Sequence, residues 1–474
     1  MRSFVTVMAL IGLIFMAGAP RSEVAPPADV REPVKLTLDE CIALGIEQNP
    51  QLMVSRAQAD QAKGQTMQAK AGKLPKVTLS ANAVHSNMLT EFATGTPTYF
   101  STGPSEASGL PSTPIHFHML AFPGIEMTNT REGDVYGVKV EAQYALYAGG
   151  RIKNGIKAAE LNERAAQEAV RQQRNELVFN IEQAFYGVLL TQEVVKVMDE
   201  AYATAAAHYR QVKAFYNEGL VSNLDVLNVE SVMAGIRPQQ IEAKNANELA
   251  KLGLKNLLNI DLSTPIEAVG ELKYEAHDLP LPDDLYAQGL SDRPEMRIIV
   301  LRRDMAQKLL EISKAGAYPT VGLFANYQWN RGQELPPSDK IWRDGYQAGA
   351  ALSVPLFDGR STEGGVAQAQ AQVTQVEQGK RALELGVKTQ IQQAVLNLRS
   401  AEEKITAQQA NVDAAGKNHE VAKARYAVGL ASNLDVMDAQ QKLSQAKVQY
   451  LSAVHDYDLA WFQLQAALGL PEQR

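Results

Sequence analysis

Few residues in this chain are placed to do chemistry. His116 and His118, in the phrase HFH, are the most closely spaced histidines. A zinc site needs a third ligand and usually a fourth at fixed spacing. None lies nearby, so the two read as loop histidines. The single cysteine, Cys41, permits no intrachain disulfide. Its context, LTLDEC, is not the apolar and small run that precedes a lipidated cysteine, and it reads as a small buried helix residue. No nucleophile elbow, phosphate-cradling glycine loop or zinc-spaced cluster is present. The helical carboxylates sit at the spacing of a solvated face. Neither enzymatic activity nor a metal or cofactor is expected.

The polar residues that do stand out belong to a phrase written twice: YNEGLVSNLDV at 216–226 and YAVGLASNLDV at 426–436. Gly219 and Gly429 suit left-handed helix ends, with Leu220 and Leu430 folding back on the last turn. Ser222 and Ser432 then offer N-cap oxygens to a returning helix, and Asp225 and Asp435 complement the dipole of its first turn. Capping explains these groups without any further role. It does not explain the exposed apolar pairs Leu220-Val221 and Leu430-Ala431, which point to a docking surface at each tip.

The elements that carry the tips are also written twice. A shift of 210 residues lays YALYAGG (144–150) on VPLFDGR (354–360) and LGLKNLLNI (252–260) on FQLQAALGL (462–470). Further upstream the shift is 244, matching Asn49-Pro50 to Arg293-Pro294 and LPKVTLSANAV (74–84) to YPTVGLFANYQ (318–328). The 34 extra residues fall within 85–135, a loop-like stretch rich in Ser, Thr, Pro and Gly. An internal duplication of this length predicts two similar supersecondary units.

Four stretches alternate apolar and polar residues, as Val77, Leu79, Ala81 and Ala83 do with Thr78, Ser80 and Asn82. Tyr136, Tyr147, Tyr318, Trp329, Tyr346 and Phe357 sit near their ends. Tilted β-spans with lipid outside and water inside would read this way, and so would a half-buried soluble sheet. Long proline-free runs follow each strand pair. Ile391, Leu398, Ile405 and Val412 recur every seven residues, with Val387, Ala394, Ala401 and Ala415 beside them. The first half repeats the register with Ile181, Val188, Val195 and Tyr202, beside Leu177, Ala184, Met198 and Ala205. This is coiled-coil patterning with small residues on the seam.

The expected plan begins with a signal peptide at 1–25, read from Arg2, an apolar run at 4–17 and Ala17-Gly18-Ala19. The first repeat covers 26–258, with a helix, strands near 75–85 and 136–148, a long helix at 151–216, a tip at 217–224 and a helix at 225–258. A linker at 259–285 leads to the second repeat, 286–470. There a helix, strands near 318–330 and 346–357, a long helix at 361–426, a tip at 427–434 and a helix at 435–468 repeat the order. A tail occupies 471–474. No later stretch reaches the roughly 18 apolar residues of a spanning helix. With 46 Lys+Arg against 53 Asp+Glu, the mildly acidic balance argues against nucleic acid as a partner. An exported chain of this kind is periplasmic, secreted or an outer-membrane β-barrel. One chain's four strands cannot close a barrel. Two copies would give a filled eight-stranded one, and three would give twelve strands around a lumen. A conduit therefore predicts a homotrimer.

In LTLDECIALGIEQNPQL (36–52), the junctions YALYAGGR and VPLFDGR, and the two GL-x-SNLDV tips, the chain resembles the TolC family of outer-membrane efflux and secretion channels. The resemblance covers nearly all of the mature chain. It implies an α+β fold: a duplicated periplasmic α-helical coiled-coil barrel on a trimeric twelve-stranded outer-membrane β-barrel of a Gram-negative bacterium, with an equatorial belt. It implies a passive channel-tunnel of a tripartite efflux or type I secretion system. Its partners would be a periplasmic adaptor meeting the tips and an inner-membrane pump of RND, ABC or MFS type. It places Asp435 and Asp438 in carboxylate rings at the periplasmic constriction. Asn228 stands where Asp438 falls in the first half, and Ala431 stands where the best-known member has a gate-restraining arginine. Tyr426 remains as a hydrogen-bonding group of the gate. The competing reading is a soluble periplasmic coiled-coil scaffold.

Overall fold

The computed structural model describes residues 33–92, 127–277, 280–331 and 341–469; the expected signal peptide, His116, His118 and the tail 471–474 lie outside them. The chain opens with β1 (Val34–Leu36) and α1 (Leu38–Gln48). A capping box starts α1: Glu40 N–H donates to Thr37 Oγ1, and Thr37 N–H donates to Glu40 Oε2 at 2.8 Å. The residue before a proline is pushed toward extended backbone, so α1 ends at Asn49 (ψ 123°). Pro50 is then the first residue of α2 (Pro50–Ala71). β2 (Lys76–Phe92) and β3 (Met127–Ala148) follow, then α3 (Arg151–Asn217) and α4 (Asn223–Leu258). β4 (Ile266–Ala268) lies in the linker. The second half repeats the order with α5 (Pro282–Asp292), α6 (Pro294–Lys314), β5 (Thr320–Arg331), β6 (Arg343–Ser353), α7 (Ser361–Ala427) and α8 (Asn433–Leu468). Among the described residues, no helix is long and apolar enough to cross a membrane.

Two compact units form. One contains Gln58–Glu168 and Arg297–Ala382, and carries an antiparallel sheet in the order β2-β3-β5-β6. The duplication holds to the register. Lys76 faces Gln143 in the first hairpin and Thr320 faces Ser353 in the second, and these pairs map onto each other through the shifts of 244 and 210. β2 and β3 run further than their alternation, pairing out to Phe92 and Met127. The sequence SNMLTEF has no period of two, so only ladder hydrogen bonds reveal that extension. β6 stops at Ser353, short of the alternation that continues to Phe357, because Pro355 has no N–H for a ladder. Beneath the sheet, Ala306 and Leu310 of α6 pack on Ala369 and Val373 of α7.

The other unit contains the residues up to Ala57, Ala169–Met296 and those from Leu383 onward. β1 and β4 pair in parallel, and their Leu36, Ile266 and Ala268 join a core with Cys41, Leu52, Leu177, Ile181, Phe185, Val188 and Leu254. Burial pushes the Cys41 thiol up to about 12, so it is an inert small apolar residue. The predicted seam is buried at Ile181, Val188 and Ala205 and at Ile391, Leu398 and Ile405. It opens at Val195, Met198 and Tyr202 and at Val412 and Ala415, which are half-buried. Each half has the same tight helix crossing. A Cβ on Gly45 would lie 2.3 Å from Ile181 Cδ1, and one on Gly289 would lie 2.5 Å from Ile391 Cδ1. Each half also ends its returning helix on a left-handed residue, Asn259 (φ 54°) and Gly469 (φ 70°).

The candidate hairpin-tip site

Both long helices end in the same hydrogen-bonded turn. Gly219 (φ 74°) donates its N–H to Tyr216 O at 3.0 Å, and Leu220 N–H reaches Phe215 O at 2.9 Å. Gly429 (φ 77°) and Leu430 repeat this to Tyr426 O and Arg425 O, at 3.0 and 2.8 Å. These are Schellman ends, and the positive φ is why glycine stands there. Ser222 N–H and Oγ–H donate to Asp225 Oδ2 at 3.1 and 2.7 Å, while Asp225 N–H donates to Ser222 Oγ. Ser432 and Asp435 make the same box at 2.8 and 2.7 Å. The serine hydroxyl, then its backbone N–H, holds each carboxyl below the usual carboxylate range. Asp435 is therefore a helix cap that also stays charged. Asp438 is exposed one turn further along α8. Leu220 and Leu430 are 71% and 68% exposed, while Val221 and Ala431 are half-buried.

Beneath the two tips lies a shared cluster that sequence reasoning missed. Ala205, Val212, Val226 and Val229 of the first hairpin enclose Met437 of the second, with Tyr209, Val221 and Tyr426 packed around them. His208 Nε2 lies 2.8 Å from Asn433 Oδ1, and the His208 ring meets the Tyr426 ring edge-on at 5.1 Å between centroids. Burial holds His208 below its ordinary value, against the Asn433 bond, and pushes the Tyr426 phenol up. Among the described residues, Tyr426 Oη is buried without a partner at hydrogen-bonding distance. Arg425 was also missed. It donates to Leu430 O at 3.3 Å and helps keep Asp435 ionised, supplying a cation to the turn where Ala431 has none. No spacing signals these contacts. Asn433 has the same sequence neighbours as Asn223, yet only Asn433 is buried.

The arrangement at the tips is a pair of capped, apolar-faced hairpins with fixed carboxylates near the turn, and the other unit carries a four-stranded sheet whose edges, β2 and β6, are unpaired among the described residues. Residues 42–259 and 285–470 match the family described as outer membrane efflux protein. The chain belongs to that family. The relatives of this outer membrane efflux protein include the alkaline protease secretion protein AprF of Pseudomonas aeruginosa, 25% identical over 72% of this chain and 71% of AprF. The outer membrane protein TolC of Vibrio cholerae is 22% identical over 72% of this chain and 79% of its own. The solved structure of VceC, an outer membrane protein of Vibrio cholerae, superposes with a TM-score of 0.71 at 19% identity, covering 91% of this chain and 96% of VceC. At that identity the likeness speaks to the fold, and it agrees with the expected duplicated α+β architecture. The protein is an outer-membrane efflux or secretion channel of the TolC kind, which sets aside the soluble scaffold.

Proposed function

We propose that three copies of this chain close a twelve-stranded barrel, forming a passive conduit whose helical hairpins make up its periplasmic part. The observation that carries this reading is the open sheet: among the described residues, β2 and β6 are unpaired edges in a chain of an outer-membrane family. Unpaired backbone cannot face hydrocarbon, so the edges must meet other edges until the sheet closes. Four strands are too few and twelve leave a water-filled lumen. Energy comes from an inner-membrane pump through a periplasmic adaptor. The adaptor docks at the tips formed by Gly219, Leu220, Val221, Ser222 and Asp225 and by Gly429, Leu430, Ala431 and Ser432. Asp435 and Asp438 form carboxylate rings at the periplasmic mouth, with Tyr426 bracing the hairpin behind them. The rings repel one another and attract cations. A tube of this kind selects little, so the pump and adaptor choose the cargo.

Unboiled gels of detergent-extracted outer membranes test the reading. A heat-modifiable band at three times the chain mass, conducting in planar bilayers, is expected. Full release on osmotic shock with no membrane-bound fraction would refute it.

A further inference from the structure

We propose that Arg331 holds a phosphate of the glycolipid headgroups in the outer leaflet, at the outer rim of the barrel. The proposal rests on the twelve-stranded reading above and assigns that barrel a lipid site.

Directly opposed residues share a face, so the ladders show which side chains meet lipid. Taking every second residue on the apolar face, β2 is apolar from Val77 to Ala83 and then presents His85. β3, read backwards, is apolar from Tyr144 to Tyr136 and then presents Asp134. β5 is apolar from Leu323 to Trp329 and then presents Arg331, and β6, read backwards, is apolar from Leu352 to Tyr346 and then presents Asp344. Each strand turns from apolar to ionisable once, toward its hairpin connection. The change steps across the sheet. His85 and Asp134 face each other, Arg331 lies one row further back, opposite Tyr136, and Asp344 one row further still, opposite Trp329. Two rows back over three strand spacings is roughly 14 Å in each direction, a slope of about 45°. Strands of membrane barrels tilt by that amount. A level boundary crossing tilted strands leaves this trace, so the four residues mark the height at which hydrocarbon ends.

Three of the four are already occupied. His85 Nδ1 lies 2.9 Å from Asp134 Oδ1, and Tyr327 donates its phenolic O–H to Asp344. Arg331 is half-buried and, among the described residues, makes no ion pair or hydrogen bond. An unpaired guanidinium at the edge of hydrocarbon is costly, and an anion at that height removes the cost. In the proposed conduit the helices are periplasmic, so the hairpin connections lie on the outer side. The outer leaflet of a Gram-negative outer membrane is a glycolipid with phosphates on its sugars. A planar guanidinium fork matches a phosphate with two N–H groups at once. Tyr136, opposite Arg331, and Trp342, just before β6, are both exposed, and aromatic rings with a polar edge suit this depth. Three copies give three such sites around the rim.

Purified trimers in detergent are incubated with bisphosphorylated lipid A, with the same lipid A stripped of its phosphates, or with inorganic phosphate. The readout is the temperature at which trimers dissociate on unboiled gels. The phosphorylated lipid is expected to raise that temperature above its value with the stripped lipid, and inorganic phosphate to leave it unchanged. Arg331→Gln should abolish the difference between the two lipids. Arg331→Lys should keep part of it, because an ammonium binds phosphate as a point charge. Equal protection of native trimers by both lipids overturns the site. So does protection by inorganic phosphate as strong as by the phosphorylated lipid, or a difference that survives Arg331→Gln. Each of these leaves the channel reading intact, whereas a native chain that yields no trimer overturns both.

Discussion

Asp435 has two tasks, since the carboxylate that caps α8 is also proposed to line the constriction. Replacing it with alanine would confuse the two, because losing a cap costs about 1 kcal/mol by itself. Asp435→Asn keeps an accepting oxygen, and Asp438→Asn alters an exposed group outside the box. Both substitutions are expected to weaken divalent-cation block of single channels severalfold. Block that is unchanged in the double variant would remove the two residues from the constriction. Because the capping bonds hold Asp435 below the usual carboxylate range, block in the native channel should persist as pH falls through that range. Asp458 behaves in the opposite way. It is buried in α8 with Oδ2 unpartnered among the described residues, and burial, with Glu275 nearby, raises its carboxyl to about 7. The folded state then binds a proton that the unfolded state has released between roughly pH 4 and 7, so stability falls as pH rises through that window. Asp458→Asn should flatten this dependence and stabilise the protein at pH 8 by about 2 kcal/mol. Melting temperatures measured at pH 5 and pH 8 give the answer directly.

At the level of elements, the same glycine lets the same two helices approach in each half. Gly45 admits Ile181 and Gly289 admits Ile391. An added methyl at either glycine meets the far end of an isoleucine, so the neighbour has to move. Gly45→Ala and Gly289→Ala are each expected to cost about 1–3 kcal/mol, and Ile181→Val or Ile391→Val in the same chain should recover part of it. Denaturant midpoints of single and paired variants test this coupling, and strict additivity would argue against it. The linker is held differently, by aromatic packing: His277 stacks on Trp461 at 4.0 Å, and Tyr274 meets Tyr457 edge-on at 4.9 Å. It passes over α8 as a clasp, and β4 ties it to the start of the chain.

For the whole molecule, the unit of function proposed above is larger than the chain. The sheet has two open edges, and the apolar junction at Leu356 and Phe357 is bare. Leu356→Ser with Phe357→Ser should leave export intact while lowering the temperature at which trimers dissociate on unboiled gels. A trimer that melts unchanged would place those side chains outside the interface. The β2–β3 ribbon continues past the last β5 partner, Arg331, so the first hairpin pairs further than its contact with the second half.

Much of this was legible from the chain alone. Capping depends on residues within four positions of one another, so the glycines, serines and aspartates of both tips could be assigned their turns and helix starts. Seven-residue spacing likewise identified Ile181, Val188, Ile391 and Leu398 as seam residues, and two constant shifts disclosed the repeat. Local spacing is blind to what a side chain meets across the fold. Asn223 and Asn433 have the same neighbours in sequence, yet folding leaves one in water and buries the other against His208. Gly149 and Gly359 share a backbone conformation, yet only one is covered. Duplicated sequence settles equivalent local structure because helices and turns close through short-range hydrogen bonds. Burial, and with it the ionisation of Asp458 and the bareness of one junction, is settled by which copy of the repeat lies alongside, and that exists only once the chain has folded.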